Sequence, residues 1–182
     1  MLIASFVILV TGWVLWVAPF FLQKRGKAPV QTSNPRARWG IALQIVGYSL
    51  LWQAQFWMRT PQWWQLAAAI LFFLLGALLS WTATPALGRH WRVQAGLSAD
   101  HELVTSGPYR FVRHPIYASM LCVFIGTGIQ VAPWWLFALA AVVFVAGTEI
   151  RVHIEDGLLA GRFGEESLSY RRRVRAYIPF VR

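Results

Sequence analysis

Charged side chains are absent from four long windows of the chain, Met1–Gln23, Trp39–Met58, Thr60–Gly88 and His114–Thr148, of 23, 20, 29 and 35 residues. An α-helix rises about 1.5 Å per residue, so about 20 apolar residues cross a hydrocarbon core of about 30 Å. Each of the first three windows predicts one transmembrane helix. The fourth is too long for one crossing and carries Pro133 near its middle, followed by Trp134 and Trp135. Proline removes a backbone donor and disfavours helix at the preceding residue. The pattern there predicts two short helices, about Pro115–Gln130 and Pro133–Arg151, joined by a tight turn. The expected fold is therefore all-α and polytopic, with five transmembrane helices of which the fourth and fifth form a short hairpin. The first window lacks a basic stretch ahead of its apolar run, and the positive cluster follows it, so it is expected to remain as a span with the N-terminus outside.

Composition sharpens this picture. Of 182 residues, 57% are hydrophobic and 13% charged, yet the net charge is +10. Ordinary soluble chains carry about 25% charged residues. The apolar content excludes disorder, and the question becomes where the 17 basic residues sit. Lys24, Arg25, Lys27, Arg36 and Arg38 follow the first helix, and Arg59 alone follows the second. Arg89, Arg92, Arg110 and Arg113 follow the third; Arg151, Arg162, Arg171, Arg172, Arg173, Arg175 and Arg182 belong to the tail. With five crossings, every group except Arg59 falls on one face, which the positive-inside rule makes cytoplasmic. The charge is thus not the signature of a nucleic-acid binder. All seven acids and all four histidines lie on that face or at its border.

Chemistry then belongs to two cytoplasmic segments, Pro85–His114 and Glu149–Arg182. Neither is long enough to bury its own core, so they must fold against each other or the membrane helices. The lone Cys122 has no cysteine to pair with and no cluster around it to hold a metal, and reads as a small packing residue. In the first segment, Ser106, Gly107 and Pro108 are turn residues, and Tyr109, Arg110, Arg113, His114 and Tyr117 crowd the head of helix four. Pro115 suits a first helical turn, whose free N–H groups favour an anion. A belt of interfacial Arg and Tyr would explain part of this cluster, but not its two prolines, glycine and histidine. In the second segment, Glu149 and His153 lie one helical turn apart, as do Arg151 and Glu155, a spacing that local ion pairs also use. The adjacent Glu155 and Asp156 point to different sides of a helix and cannot form an acid/base dyad. Glu165–Val174 predicts an amphipathic C-terminal helix lying on the membrane surface, with acids first and arginines last, as the helix dipole prefers.

Read together, Leu87-Gly88-Arg89, His101 through Thr105, Gly107 through Tyr117, Glu155-Asp156, Phe163-Gly164, Tyr170, Arg173-Val174 and Ile178-Pro179 resemble the isoprenylcysteine carboxyl methyltransferase family, part of a wider group of membrane methyltransferases that includes phospholipid N-methyltransferases. The resemblance covers about Pro85–Pro179. It implies S-adenosylmethionine as methyl donor, a cytoplasmic cofactor pocket closed by the C-terminal segment, and a lipophilic or lipid-modified acceptor, with membrane lipid but no nucleic acid as partner. It implies that the cofactor is held by Leu103, Val104, Tyr109, His114, Pro115, Tyr117, Glu155 and Asp156, that Arg173 lies near the acceptor, and that Arg113 and Glu155 serve the reaction. No metal is implied. Residues 1–182 would form one membrane-embedded domain, with three N-terminal spans over 1–84 and the catalytic core over 85–182. The chain departs from the family pattern at Ser119, Asp156, Ser167 and Arg175.

Methyl transfer from a sulfonium to a carboxylate needs no general base, so positioning and exclusion of water would supply the rate. Tyr109, Tyr117 and Trp91 could stabilise a sulfonium by about 0.5–2 kcal/mol. Rival readings are an NADPH-dependent sterol-type reductase with Arg171–Arg173 as a phosphate clamp, and a non-catalytic scaffold or transporter. A phospholipid amine or a thiol remains open as acceptor. Gly126-Thr127-Gly128 reads either as a cofactor contact or as a packing notch.

Overall fold

A computed structural model describes residues 3–23, 30–92, 96–98 and 100–179 of the protein. Lys24, Arg25, Lys27 and Arg182, which enter the charge count above, lie outside the described residues. The helices are α1 (Ile3–Leu22), α2 (Ala37–Leu51), α3 (Trp63–Leu87), α4 (Pro115–Val131), α5 (Trp134–Phe163) and α6 (Glu165–Arg173). Three stretches are long and apolar enough to cross a membrane: Ile3–Leu22, Trp63–His90 and Trp134–Phe163. The other two apolar helices are shorter, 15 residues for α2 and 17 for α4.

The window Trp39–Met58 predicts a full span, but its helix stops at Leu51. The last turn tightens, with Trp52 and Gln53 N–H donating to the carbonyls of Ser49 and Leu50, and the Gln53 side chain takes the Ser49 carbonyl as well. Carbonyls at a helix end are satisfied this way when the helix cannot continue. Conversely, α5 runs past the expected Arg151 to Phe163, where Gly164 turns the chain with a φ of 52°. The expected tight turn between α4 and α5 is present: Ala132 and Pro133 separate them. The arms of this hairpin then pack on different neighbours, α4 along α3 and α5 along α2, while α1 lies against α3.

One departure from an all-α chain is a two-stranded antiparallel sheet. Strand β1 (Val30–Ser33) pairs with β2 (Gly96–Ser98), Thr32 opposite Leu97. It ties the connection between α1 and α2 to the loop after α3. Strands this short give no periodic signal in a sequence.

Why the helices seat as they do is local chemistry. Pro19 inside α1 has no N–H to give the Leu15 carbonyl one turn back; the Trp81 indole of α3 donates to that carbonyl instead, at 2.8 Å. Trp13 and Trp16 of α1 donate to Thr127 and Ser119 of α4 at 3.1 and 3.0 Å. Ser119, a departure from the family pattern, therefore anchors α1. Between α2 and α5 the backbones nearly touch: a methyl group on Gly40 would lie 2.7 Å from the Gly147 carbonyl oxygen. Gly126 and Gly128 serve packing too, against the Ala69 carbonyl and the Phe137 ring, with Thr127 taken by Trp13. The core joins all five apolar helices through Leu9, Leu51, Phe73, Phe124 and Phe144. Outward faces stay apolar (Phe6, Val14, Leu74, Leu78, Val142), as a lipid environment requires. Exposed Trp57, Trp63, Trp64, Trp134 and Trp135 gather at one set of helix ends, where interfacial aromatics belong.

Candidate active site

The site lies at the opposite set of ends. Gly107, with φ of 60°, starts a 3-10 turn over Gly107–Arg110 that buries Tyr109. His114 follows in a non-helical conformation as the cap of α4, and Pro115 takes the first helical position. The chain after α6 lies alongside. Val112 and Arg175 form a parallel bridge, and the N–H groups of Arg113 and His114 donate to the carbonyls of Arg175 and Ala176 at 2.8 and 2.7 Å. Those two donors at the head of α4 are therefore taken by the chain itself rather than by an anion. The Tyr177 hydroxyl adds a bond to Glu149 of 2.6 Å, so Glu149 serves this docking, while His153 is exposed.

Adjacent acids of α5 face two different partnerships. Asp156 takes Nη2 of Arg113 at 2.8 Å, Nε2 of His114 at 3.0 Å and Nε of Arg171 at 3.5 Å. Arg113 continues through Nη1 to the Val174 carbonyl. Asp156 thus binds the α4 head to α6, with its own side chain 5% and that of Arg113 7% exposed. Glu155 instead accepts from the Tyr117 hydroxyl and from Arg151 at 3.3 Å, and lies 3.5 Å from Nδ1 of His114. Both ring nitrogens of His114 therefore meet carboxylates. Burial alone would push this imidazole down, but Asp156 and Glu155 outweigh it and hold His114 above its usual value. Burial pushes Tyr170 up to about 12, and its hydroxyl donates to the Tyr109 carbonyl. Burial also pushes the Tyr109 hydroxyl above the ordinary tyrosine range. His101 is lowered to about 4, by burial and then by His90 and Arg92, and stays neutral.

These groups form one end of a cavity of about 470 Å³. Leu103, Val104, Tyr109, Arg113, His114, Tyr117 and Glu155, all expected from the sequence, line it together, and Trp91 lies beside them. Three expected residues stand elsewhere. Pro115 is buried as the first residue of α4; Asp156 lies behind the wall in the Arg113–His114–Arg171 cluster; Arg173 is exposed on α6, its Nε 3.4 Å from the Ser169 carbonyl. Other lining residues were given no role at the site by the sequence. Four of them are Arg151, over the Tyr117 ring at 5.1 Å, Tyr170, and from the N-terminal helices Trp16 and Tyr48. Arg151 carries the clearest signal, as an arginine one turn before Glu155 where α5 leaves its charge-free stretch. The far end is apolar, walled by Val17, Phe20, Ile41 and Ile45 of α1 and α2.

The arrangement can hold a cation against Glu155 and the tyrosine faces, and an apolar chain between α1 and α2. Such a division suits a water-soluble sulfonium and a lipophilic partner: the Tyr117 face already accepts a guanidinium, and Glu155 is a carboxylate lining the cavity. Arg171, Arg172 and Arg173 do not converge on a phosphate, since they engage Asp156, Glu165 and the Ser169 carbonyl respectively.

A family profile described as phospholipid methyltransferase matches residues 64–166. Over 122 residues the chain is 32% identical to protein-S-isoprenylcysteine O-methyltransferase B of Arabidopsis thaliana, covering 65% of this chain and 61% of that protein. Over 113 residues it is 34% identical to the protein-S-isoprenylcysteine O-methyltransferase of Tribolium castaneum, covering 59% and 39%. Over 142 residues it is 29% identical to the nickel-cobalt-cadmium resistance protein NccN of Alcaligenes xylosoxydans xylosoxydans, covering 78% and 62%. The chain thus spans less than two thirds of the length of each of these relatives.

Proposed function

The chain belongs to the phospholipid methyltransferase family, and from that premise we propose that it transfers a methyl group from S-adenosylmethionine to a lipophilic acceptor, a carboxylate of the isoprenylcysteine type. The observation that carries this reading is the two-ended cavity, charged and aromatic at the α4–α5 end and apolar between α1 and α2. The donor supplies an electrophilic methyl on a sulfonium. With the donor bound, a new O–C bond would form at the acceptor carboxylate as the C–S bond breaks with its electron pair left on sulfur, and no proton would have to move. The protein's part is positioning. Glu155 would hold positive charge at the donor end beside the Tyr109 and Tyr117 side chains, and the wall from Leu103 and Val104 would exclude water. Asp156, through Arg113, His114 and Arg171, keeps α6 docked over this end. In this reading the chain is one membrane-embedded unit with five crossings, the N-terminus outside and the site on the cytoplasmic side, in accord with the basic residues and the Trp-rich opposite ends. Titration calorimetry with S-adenosylhomocysteine in detergent tests the donor. Wild type is expected to bind and His114→Ala to bind at least several-fold more weakly; no binding by wild type, or equal binding by both, overturns the reading.

A further inference from the structure

We infer that Gln44 is a specificity residue, accepting a hydrogen bond from an N–H group that the acceptor carries just behind its reacting carboxylate. This rests on the proposed methyltransferase reading and adds a recognition contact to it. Gln44 belongs to α2, is 3% exposed and lines the cavity between Ile41 and Ile45 of the apolar wall. Its place is set by the close approach of α2 and α5: a methyl group on Gly147 would lie 2.9 Å from the Gln44 backbone nitrogen. The next residue, Thr148, is 1% exposed and accepts from Gln44 Nε2 at 2.9 Å. The Thr148 hydroxyl spends its own proton on the Phe144 carbonyl at 3.0 Å, so toward Gln44 it can only accept. That fixes the amide with Nε2 toward α5. Oε1 is left without a donor among the described residues. A buried acceptor is expensive to leave unmade, and this one belongs to a side chain on the cavity wall.

The neighbouring side chains do not supply that donor. The Trp16 indole is spent on Ser119 at 3.0 Å and the Tyr48 hydroxyl on the Met120 carbonyl at 2.7 Å. Val17, Phe20, Ile41 and Ile45 carry none. Position says which part of a ligand does. α2 runs inward from the charged end, since Gly40, one turn before Gln44, packs on the Arg151 stem. Side chains lean toward the N-terminus of their helix, so the Gln44 amide is directed back toward that end. Thr148 lies about two turns, or about 10 Å, before Glu155 on α5. The amide therefore stands where the charged end passes into the apolar one, at the level where an acceptor's head joins its tail. An acylated S-prenylcysteine carries an amide N–H at that junction, on the same carbon as its carboxylate. A plain isoprenoid acid has no N–H there and leaves Oε1 unmet.

The full chain in detergent tests this with two acceptors, an S-prenylated N-acetylcysteine and its analogue in which an ester oxygen replaces the amide N–H, each measured by kcat/KM for methyl transfer. Wild type is expected to prefer the amide by roughly 3- to 10-fold, the range of one neutral hydrogen bond. In Gln44→Met, which stays close in volume and lacks Oε1, that ratio falls to about one while S-adenosylhomocysteine affinity is kept. Thr148→Val frees the amide to turn and gives an intermediate ratio; it carries the comparison if the Met variant does not fold. No preference in wild type, or a preference that survives in both variants because the two acceptors lose activity equally, overturns the assignment and leaves Gln44 a packing residue. A wild type that binds S-adenosylhomocysteine yet esterifies neither acceptor overturns the acceptor reading beneath it instead.

Discussion

Replacing Asp156 by Asn removes one charge from a site where three cationic groups converge. Arg113 and His114 are held at 2.8 and 3.0 Å, with the side chains of Arg113, His114 and Asp156 all 7% exposed or less. Removing one partner of a buried pair leaves the other charge uncompensated, at a cost of about 3–5 kcal/mol. In a chain of this size about 1 kcal/mol moves the midpoint by about 2–4 °C, so thermal unfolding in detergent is expected to fall by roughly 6–20 °C. Asp156→Glu, which keeps the charge and lengthens the reach by a methylene, is expected to lose less. Glu165 supplies the internal control. Its pair with Arg172 has a similar geometry at 3.3 Å, but the side chains are 82% and 67% exposed. Such surface pairs contribute about 0–1 kcal/mol. A midpoint for Asp156→Asn no lower than that for Glu165→Gln would refute the argument that burial makes this cluster the clasp of the C-terminal segment.

The same cluster sets a pH dependence. Because His114 is held above its usual 6.5, its protonated form stabilises the fold fully below that pH, and the contribution is lost as pH rises through the raised value. Wild-type midpoints are expected to decline over that window and those of His114→Gln to lack the decline, as a thermal-shift series across pH would register. Gly40→Ala presses a methyl group on the Gly147 carbonyl and the Arg151 stem, at 2.7 and 2.5 Å. It is expected to cost about 1–3 kcal/mol by overpacking, read as a lower unfolding midpoint.

Charge-free windows gave the helices away because a lipid-facing helix tolerates no charge along its lipid-buried length; α1 and α3 follow from that alone, whereas α5 also needed Pro133 to part it from α4. Helix ends did not follow. α2 stops seven residues before its apolar window does, since aromatic and glutamine side chains such as Trp52 and Gln53 suit a membrane interface as well as a helix. The short sheet escaped because its pairing is fixed by where two loops meet and not by any alternation within them. At the site, motif residues of the α4 head and of α5 came together as expected, since turn residues and a capping proline specify their backbone locally. The contributions of Trp16 and Tyr48 were invisible, because a tryptophan in an apolar helix looks alike whether it faces lipid, core or cavity.

Glu155 and Asp156 diverge as their adjacency on a helix requires, and only the cofactor-lining role that the resemblance implied for Asp156 is not met. Successive helical residues are about 100° apart around the axis. One carboxylate therefore turns to the cavity, while the next turns to Arg113 and Arg171 behind it. His114 touches both, at 3.5 and 3.0 Å. A change in charge at the cavity end is thus one imidazole away from the contacts that dock α6. Donor binding and closure of the C-terminal segment are expected to be energetically coupled through His114. Protection of residues 165–179 from hydrogen exchange should rise when S-adenosylhomocysteine binds wild type. In a His114→Gln variant that still binds, the gain should shrink; an equal gain would mean that the coupling runs through Tyr170, which spans the same two elements by its bond to the Tyr109 carbonyl.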